Sequence, residues 1–440
     1  MSHIVVVGAG LAGCEAAWTA ANAGAQVTLY EMKPNKYTPA HHSPGFAELV
    51  CSNSLKAKRV ESAAGLLKEE MRRLGSVCME AASECSVPAG GALAVDRNLF
   101  SDGVTGRIMS HPNIKAVHKE IADLEGLKGD AVIIATGPLT SEPLSERLSS
   151  LLGGGLSFYD AAAPIVSADS IDMENAFIAS RYGRDEGNGG DYINCPMNKE
   201  EYEAFYSALI LAQTAPLHSF DKGEDDRVYE GCMPIEVLAK RGADSIRYGP
   251  MKPVGLRDPK TGHRPWAVLQ LRKENAQGSM LNMVGFQTNL KFDEQKRVFG
   301  MIPALKNAEF LRFGVMHRNS FINSPRLLNP NFSLRENPRL FFAGQMTGVE
   351  GYMESAASGM LAGINAVRAV TAKPPIILPD NTMMGALAAY ISNPNVEDFQ
   401  PMGANFGLLP PLEEHIRDKR DRHAALAERS LKSLQDINFK

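Results

Sequence analysis

Three of the six cysteines stand in contexts that could make a thiol reactive. Cys232 comes just before a helix that the sequence predicts from about Ile235, and Cys51 precedes a polar cluster, residues 52–54, that is typical of a helix start. Cys195 also stands ahead of a helical pattern. A helix N-terminus lowers the pKa of a nearby thiol and enriches the nucleophilic thiolate. These contexts predict covalent catalysis by a cysteine; the alternative is that each is a small core residue.

The other three cysteines, Cys14, Cys78 and Cys85, are expected to pack in the core. None of the six forms a CxxC pair or has metal-ligand spacing, so a zinc site is not expected. The N-terminus lacks the basic-then-apolar layout of a signal peptide. We therefore expect reduced thiols and a cytoplasmic protein.

A glycine-rich turn follows the first predicted strand, residues 4–7, and leads into a helical pattern over residues 15–23. A second strand, residues 25–30, ends at Glu31, which is placed to accept hydrogen bonds from a ribose. This strand–turn–helix–strand unit carries the GxGxxG fingerprint, whose backbone approaches a pyrophosphate at the helix N-terminus. It predicts a dinucleotide site rather than a turn that binds nothing. The turn consists of Gly8, Ala9, Gly10, Leu11, Ala12 and Gly13.

Two later segments extend this prediction to a flavin nucleotide. Residues 130–137 read as a buried strand followed by Ala-Thr-Gly, ending at Gly137. In flavoproteins with a glutathione-reductase-like fold, such an element packs against the nucleotide. Residues 340–366 read as a strand that runs into Gly344 and Gln345, then a helix of small residues. The N-terminal dipole of that helix can face an anionic ring such as a reduced flavin.

Because these segments lie at both ends of the chain, the middle is predicted to be an insertion. The expected fold class is α/β: a glutathione-reductase-like, Rossmann-type FAD-binding domain with an inserted α+β domain and a helical C-terminal tail. We assign residues 1–165 and 315–440 to the FAD-binding domain and residues 166–314 to the insertion. Further helices are expected over residues 63–82, 383–390 and 412–434.

Composition and charge narrow the possible partners. The chain has 440 residues, 44% of them apolar and 22% charged, with a net charge of −4. No apolar run reaches the ~18 residues of a membrane span, so no membrane partner is expected. Residues 240–326 contain 16 basic and 6 acidic residues, interleaved with aromatic groups such as Tyr248 and Trp266. This pattern favours a local RNA-binding surface over a merely solvated face with phosphate contacts to a cofactor.

The combination of segments resembles the TrmFO family of folate- and FAD-dependent tRNA (uracil-5-)-methyltransferases. The related MnmG (GidA) family shares the fingerprint and a FAGQ-type segment but lacks the contexts of Cys51 and Cys232. The segments that carry the resemblance are residues 6–13, 47–55, 65–76, 88–97, 135–141, 158–166, 192–202, 230–237, 249–256, 283–299, 314–325 and 341–359.

The resemblance implies a one-carbon transfer to tRNA. NAD(P)H reduces the flavin, 5,10-methylenetetrahydrofolate supplies the carbon, and C5 of a T-loop uridine receives it. Uracil C5 is a poor nucleophile, so attack of a thiolate on C6 would activate it. By resemblance, Cys232 is the first choice for this nucleophile. Cys51 is the second: it stacks on the flavin, protects the one-carbon unit or acts as a base.

The resemblance and the local charge also suggest substrate contacts. Lys252, Arg264, Arg272 and Arg297 are expected to hold RNA phosphates or the glutamate tail of folate. His317 and Arg318 are candidate polar contacts to folate or flavin, although a lone histidine is more often structural.

Three other functions remain open at this stage. The chain could be an NAD(P)H-dependent flavin oxidoreductase of a small metabolite, or a non-catalytic RNA-binding protein that keeps a flavin for structure. It could also carry out the same methyl transfer on ribosomal RNA.

Overall fold

The computed structural model describes residues 2–38, 40–154, 156–161, 163–183, 191–215, 233–274, 278–314, 316–396, 399–435 and 437. Two hydrophobic cores lie within these residues. The first draws on residues 4–148 and 321–434, and the second on residues 166–305. The ends of the chain therefore share one core, while the middle builds its own.

A five-stranded parallel sheet forms the centre of the first core. Its order is β16-β7-β1-β2-β6, with Ile4 opposite Val27 on one side and opposite Ala131 on the other. The apolar runs of the central strands are buried on both faces, as a parallel sheet covered by helices requires. The strands are β1 (His3–Val7), β2 (Gln26–Glu31), β6 (Ile114–His118), β7 (Ala131–Ile134) and β16 (Leu340–Phe342).

Helices α1 (Leu11–Asn22) and α11 (Tyr352–Val370) pack against each other at very short range. A Cβ on Gly359 would stand 2.0 Å from the Ala12 carbonyl oxygen, so only glycine permits this approach. The small residues of the 340–366 segment therefore serve close packing, and they bring the N-terminus of α11 beside the fingerprint turn.

The single helix expected over residues 63–82 is wrong, because the structure has two helices there, α2 (Ala63–Arg73) and α3 (Val77–Glu84). Gly75 adopts a left-handed φ of 76°, and the Ser76 side chain accepts a hydrogen bond from the Met79 N–H to cap α3. The apolar spacing runs through the break, so periodicity alone did not reveal it. Also in this part are α4 (Arg97–Ser110), α5 (Glu142–Leu152) and α10 (Ser324–Leu327).

A second, antiparallel sheet organises the middle of the chain, in the order β10-β11-β12-β13-β9-β14. Its strands are β9 (Ile165–Ser167), β10 (Phe177–Ile178), β11 (Tyr192–Met197), β12 (Ala267–Lys273), β13 (Met280–Met283) and β14 (Phe310–Arg312). The helices that accompany it are α6 (Lys199–Leu211), α7 (Ile235–Ala239), α8 (Ala243–Arg247) and α9 (Phe292–Phe299). The short α7 confirms the helix expected from about Ile235.

Two smaller sheets flank these layers. β8 (Leu156–Ala161) and β15 (Met316–Phe321) form an antiparallel ribbon where the chain enters and leaves the middle segment. β3 (Ser54–Ala57), β5 (Ala92–Val95) and β4 (Ser86–Val87) form a three-stranded sheet beside α2. The latter sheet holds the segment that follows Cys51.

The tail packs on α2 through two helices, α12 (Met383–Ser392) and α13 (Lys419–Gln435). The Glu70 carboxylate accepts hydrogen bonds from the Met383 and Met384 N–H groups and from the Ser430 hydroxyl. The last helix begins later than the expected residue 412, since its first-turn N–H groups are capped by Asp418. Among the described residues, no helix combines the length and apolarity needed to cross a bilayer.

Candidate functional site

A cleft of about 460 Å³ lies at the carboxyl ends of β1, β2 and β7, beside the N-termini of α1 and α11. Open α/β sheets bind their ligands at this edge. The cleft brings together ten of the residues that the sequence singled out. They are Gly8, Ala9, Gly10, Leu11, Ala12, Glu31, Cys51, Gly137, Gly344 and Gln345.

The glycines of the fingerprint have different surroundings. A Cβ on Gly13 would stand 1.7 Å from the Gly8 carbonyl oxygen, so Gly13 serves packing and does not line the cleft. A Cβ on Gly10 or Gly137 would meet no protein atom within 4 Å. The open space beside these two residues can therefore hold the part of a ligand that lies directly against the protein backbone.

Glu31 lies at the end of β2 and is only 8% exposed. Its carboxylate accepts hydrogen bonds from the Ala9 N–H at 2.8 Å and the Lys33 N–H at 3.0 Å. These bonds fix the carboxylate next to the glycine turn and leave it further acceptor capacity. An adenosine ribose beside α1 would find its acceptor there, which fits a dinucleotide such as FAD.

A group that the sequence analysis missed closes the same end of the cleft. The Lys33 ammonium donates to the Gly45 carbonyl at 2.6 Å and pairs with Glu48 at 3.2 Å. Glu48 in turn accepts hydrogen bonds from the His42 and Ser43 N–H groups. The His41 ring lies in the lining, and burial lowers its pKa. The paired histidines, His41 and His42, were the sequence signal for this group, and their partners Thr38 and Glu48 lie only three and six residues away.

Cys51 lies at the other end of the cleft, in a loop held by its backbone. The Tyr352 hydroxyl accepts hydrogen bonds from the Cys51 N–H at 2.6 Å and the Ser52 N–H at 3.1 Å. Arg97 and Arg312 both donate to the Cys51 carbonyl, at 3.1 and 3.3 Å. The thiol-bearing residue is therefore fixed from three directions by residues of α4, β14 and α11.

Arginine charge accumulates around this loop. Arg272 donates to the Ser52 hydroxyl at 2.8 Å and to the Asn53 amide oxygen at 3.0 Å. Burial, with repulsion from Arg97, lowers the pKa of Arg312. Glu274, which pairs with Arg97 at 2.5 Å, is the acidic partner found here among the described residues. Three guanidinium groups against one carboxylate place positive charge behind the Cys51 loop, although none of these arginines lines the cleft itself.

A third cluster lies at the N-terminus of α11. Lys56 pairs with Glu354 at 2.6 Å, and both residues line the cleft. Glu354 is 1% exposed, and its second oxygen has no hydrogen-bond partner within the described part of the chain. Lys56 adopts a left-handed φ of 63°, which is unusual for a residue with a side chain. Sequence reasoning missed this pair because its members are 298 residues apart.

The structure confirms only some of the surroundings that the sequence predicted for the cysteines. The helix start expected at Cys51 is wrong, because residues 54–57 form strand β3. Ser52 is hydrogen-bonded to Tyr352 and Arg272 instead of capping a helix. Cys195 lies inside strand β11, fully buried, and burial raises its pKa to about 12. Cys14, Cys78 and Cys85 are buried, as expected.

Cys232 lies outside the described residues, but α7 begins three residues after it. The Ile235 N–H donates to the carbonyl of Gln287, which lines the cleft. Glu236 accepts hydrogen bonds from the Thr288 hydroxyl and the Asn289 N–H, both at 2.8 Å. The helix that follows Cys232 is therefore anchored to the wall of the cleft.

The expected substrate contacts are dispersed. Arg272 is buried under the Cys51 loop, whereas Lys252 and Arg264 are exposed on the middle segment. Arg297 is exposed and pairs with Glu294 at 2.6 Å, three residues earlier on α9. His317 and Arg318 lie in β15 opposite Asp160 and Tyr159, and their side chains are outside the described part.

Within the described residues, no group of three or more His, Cys, Asp or Glu side chains is arranged to hold a metal ion. The polar lining of the cleft includes backbone groups, hydroxyls, the Glu31 carboxylate and the Lys33–Glu48 and Lys56–Glu354 ion pairs. Such a lining suits an organic cofactor.

Comparison with known proteins agrees with this geometry. A family model described as "Glucose inhibited division protein A" matches residues 3–374. A protein of Pelotomaculum thermopropionicum is 58% identical over 432 residues, which cover 98% of this chain and 97% of that protein. One of Halalkalibacterium halodurans is 55% identical over 436 residues, covering 99% and 98%. Both are named methylenetetrahydrofolate–tRNA-(uracil-5-)-methyltransferase TrmFO.

Solved structures of Aquifex aeolicus GidA in two crystal forms are similar over the whole chain, with TM-scores of 0.71 and 0.72. They are 18% identical in sequence, and the match covers 74% and 76% of the Aquifex protein. This likeness confirms the fold class expected from the sequence, a Rossmann-type α/β flavoprotein fold.

Proposed function

Because the chain belongs to the glucose-inhibited division protein A family and, within it, to the TrmFO proteins, we propose that it methylates uridine C5 in tRNA. The one-carbon donor is methylenetetrahydrofolate, FAD is the cofactor and NAD(P)H the reductant. Within tRNA, we propose that the target is a uridine of the T-loop. The expected location of the protein is the cytoplasm.

One observation carries this proposal: a single cleft joins the glycine turn to Cys51 and to the wall that anchors α7. The turn, the N-terminus of α1 and Glu31 would hold the pyrophosphate and ribose of FAD. When bound, FAD supplies the reducing equivalents and carries the one-carbon unit. The Cys51 loop and the N-terminus of α11 line the remainder of the cleft, where the reacting ring and the substrates belong.

The cysteines have separate tasks in this proposal. Cys232, carried on the segment just before α7, adds as a thiolate to C6 of the uracil and raises the electron density at C5. The ring then carries negative charge on its oxygen, which the positive charge of the arginines behind the Cys51 loop favours. Cys51, fixed by Tyr352 and Arg97, shields the reacting carbon from water or removes the C5 proton.

The middle segment offers groups that suit RNA. The Arg247 guanidinium lies 3.8 Å from the centre of the Trp266 ring and 5.1 Å from that of Tyr248, which is 66% exposed. Exposed aromatic rings stacked with arginine are typical of surfaces that bind unstacked bases. We propose that this cluster, with Lys252 and Arg264, contacts the tRNA.

The test combines purified protein, methylenetetrahydrofolate, NADPH and unmodified tRNA, with 5-methyluridine measured by mass spectrometry. We expect product with the wild type and none with Cys232→Ala, while both keep the yellow flavin. Cys51→Ala should lower the yield at least tenfold. Cys85→Ala, a buried cysteine away from the cleft, is the matched control and should methylate normally.

Three outcomes would change the proposal. Full methylation by Cys232→Ala would remove that thiol from the nucleophile role. Flavin reduction by NADPH without any 5-methyluridine would favour an oxidoreductase of a small metabolite. Formation of 5-methyluridine in ribosomal RNA fragments but not in tRNA would support the same reaction with ribosomal RNA as the substrate.

A further inference from the structure

A second cavity, of about 420 Å³, lies between α2, α3 and the small sheet of β3, β4 and β5. Three of its lining residues are basic: Lys58, Lys68 and Arg72. Ser83 and Ser86 add hydroxyl groups to the same wall. The described residues that line this cavity include no aspartate or glutamate, so its lining favours an anion.

Lys68 is the unusual member of this set, because it is only 2% exposed. Its ammonium donates to the Leu55 carbonyl at 2.6 Å and to the Ala64 carbonyl at 2.8 Å. An ammonium has three N–H donors, so one remains for a ligand in the cavity. Burial lowers the pKa of Lys68 to about 8, even though the Glu354 carboxylate acts to raise it, and a further anion in the cavity would offset the remaining cost.

The other two cations lie at the rim. Arg72 pairs with Glu69 one turn back along its own helix, at an exposed site where such a pair contributes little. Arg72 can therefore turn to an anion in the cavity at small cost. Lys58 follows the strand that supplies Lys56 to the catalytic cleft.

The two cavities are close neighbours. Leu55 lines the cleft, while its carbonyl accepts the hydrogen bond from Lys68, which lines the second cavity. Lys56 and Lys58 are two residues apart, so their Cα atoms are separated by at most about 7 Å. A nucleotide chain whose base occupies the cleft would therefore be able to extend a flanking phosphate toward this cavity.

We infer that this cavity binds a phosphate group, and that the backbone of the RNA substrate supplies it. The inference rests on the proposed function, since it takes the RNA as the substrate of the neighbouring cleft. The site would hold the RNA backbone in place while the target base enters the cleft, and it would act on any sequence because phosphates carry no base identity.

The test measures the binding of unmodified tRNA to the flavin-loaded protein over a range of salt concentrations. The double variant Lys58→Gln/Arg72→Gln removes two phosphate contacts, so the slope of log K against log[salt] should fall by about 1.5. Affinity at low salt should fall about tenfold or more. Lys68→Met should act in the same direction, and flavin absorbance reports whether it folds. Lys128→Gln, an exposed lysine beyond β6, is the control.

An unchanged slope in the folded double variant, with wild-type protein forming 5-methyluridine, would overturn this inference alone. Absence of 5-methyluridine with wild type would instead defeat the proposed function. A third arm titrates inorganic phosphate into wild type and double variant at constant ionic strength. One outcome is that the wild type binds inorganic phosphate at sub-millimolar concentration and the double variant does not, while the salt dependence of tRNA binding stays the same in both. That result would assign the cavity to a small phosphorylated molecule and refute RNA as the source of the phosphate.

Discussion

The two ends of the cleft are built in different ways. At the nucleotide end, Gly8, Gly10 and Glu31 come from one strand–helix–strand unit, and their hydrogen bonds join backbone groups to each other or to the Glu31 carboxylate. At the cysteine end, the Cys51 loop is held by side chains from α4, β12, β14 and α11, up to 301 residues away. A local motif suffices to hold a cofactor, whereas the reactive end depends on the whole tertiary structure.

The sharpest test of the nucleotide end compares the same substitution at two glycines. Gly13→Val places a Cβ 1.7 Å from a backbone oxygen that cannot move away, so we expect no folded flavoprotein. A Cβ at Gly10 meets no protein atom within 4 Å, so Gly10→Val should fold with the melting temperature of the wild-type apoprotein but lose FAD. Circular dichroism and flavin absorbance measure the two effects. A yellow Gly10→Val protein would refute the assignment of this turn to the cofactor.

At the cysteine end the largest effect is expected from Arg97→Met. Glu274 is fully buried, and without its partner it becomes an unpaired buried carboxylate. Loss of one member of such a pair costs about 3–5 kcal/mol, measured as the free energy of unfolding in urea. Arg147→Met removes an arginine with two exposed partners, Asp123 and Glu125, and should cost less than about 1 kcal/mol. Equal losses in the two variants would contradict the role of the buried Arg97–Glu274 pair in holding the cysteine end.

This contrast explains what the sequence could predict. The fingerprint, the strand ending at Glu31 and the strand before Gly344 are local patterns, and the structure places all of them at one edge of one sheet. The Rossmann-type fold class followed from them. Arg97 is the last residue of the 88–97 segment that carries the resemblance. Its role could not be predicted, because its partners Cys51 and Glu274 are 46 and 177 residues away.

The errors have the same origin. A polar cluster after Cys51 is compatible with a helix cap or with a loop, and tertiary partners such as Tyr352 and Arg272 selected the loop. Arg272 was expected to hold an RNA phosphate or the glutamate tail of folate because it belongs to a basic stretch, and this role stays a prediction. Its position on a central strand instead buries it, where its guanidinium holds Ser52 and Asn53. Charge counting cannot distinguish the two faces of such a strand.

Glu15 provides the test that could break the comparison, because it gives the nucleotide end a long-range contact made by a side chain. Its carboxylate is fully buried on α1 and accepts hydrogen bonds from the Ser76 hydroxyl and the Cys78 N–H. Burial raises its pKa from 4.5 to about 7. The folded state therefore binds this proton more tightly than the unfolded state, so the contribution of Glu15 to stability is full below about pH 4.5 and declines as pH rises to about 7.

Glu15→Gln should remove this decline, which reaches at most about 1.4 kcal/mol per pH unit for one group. Urea unfolding of the apoprotein at pH 5, 6 and 7 measures it. Glu70 on α2 has its pKa raised to about 7 by the same burial, so Glu70→Gln is the matched variant away from the fingerprint. If only Glu70→Gln flattens the pH dependence, Glu15 is ionised in the folded state. The nucleotide end would then depend on a buried charge, as the cysteine end does.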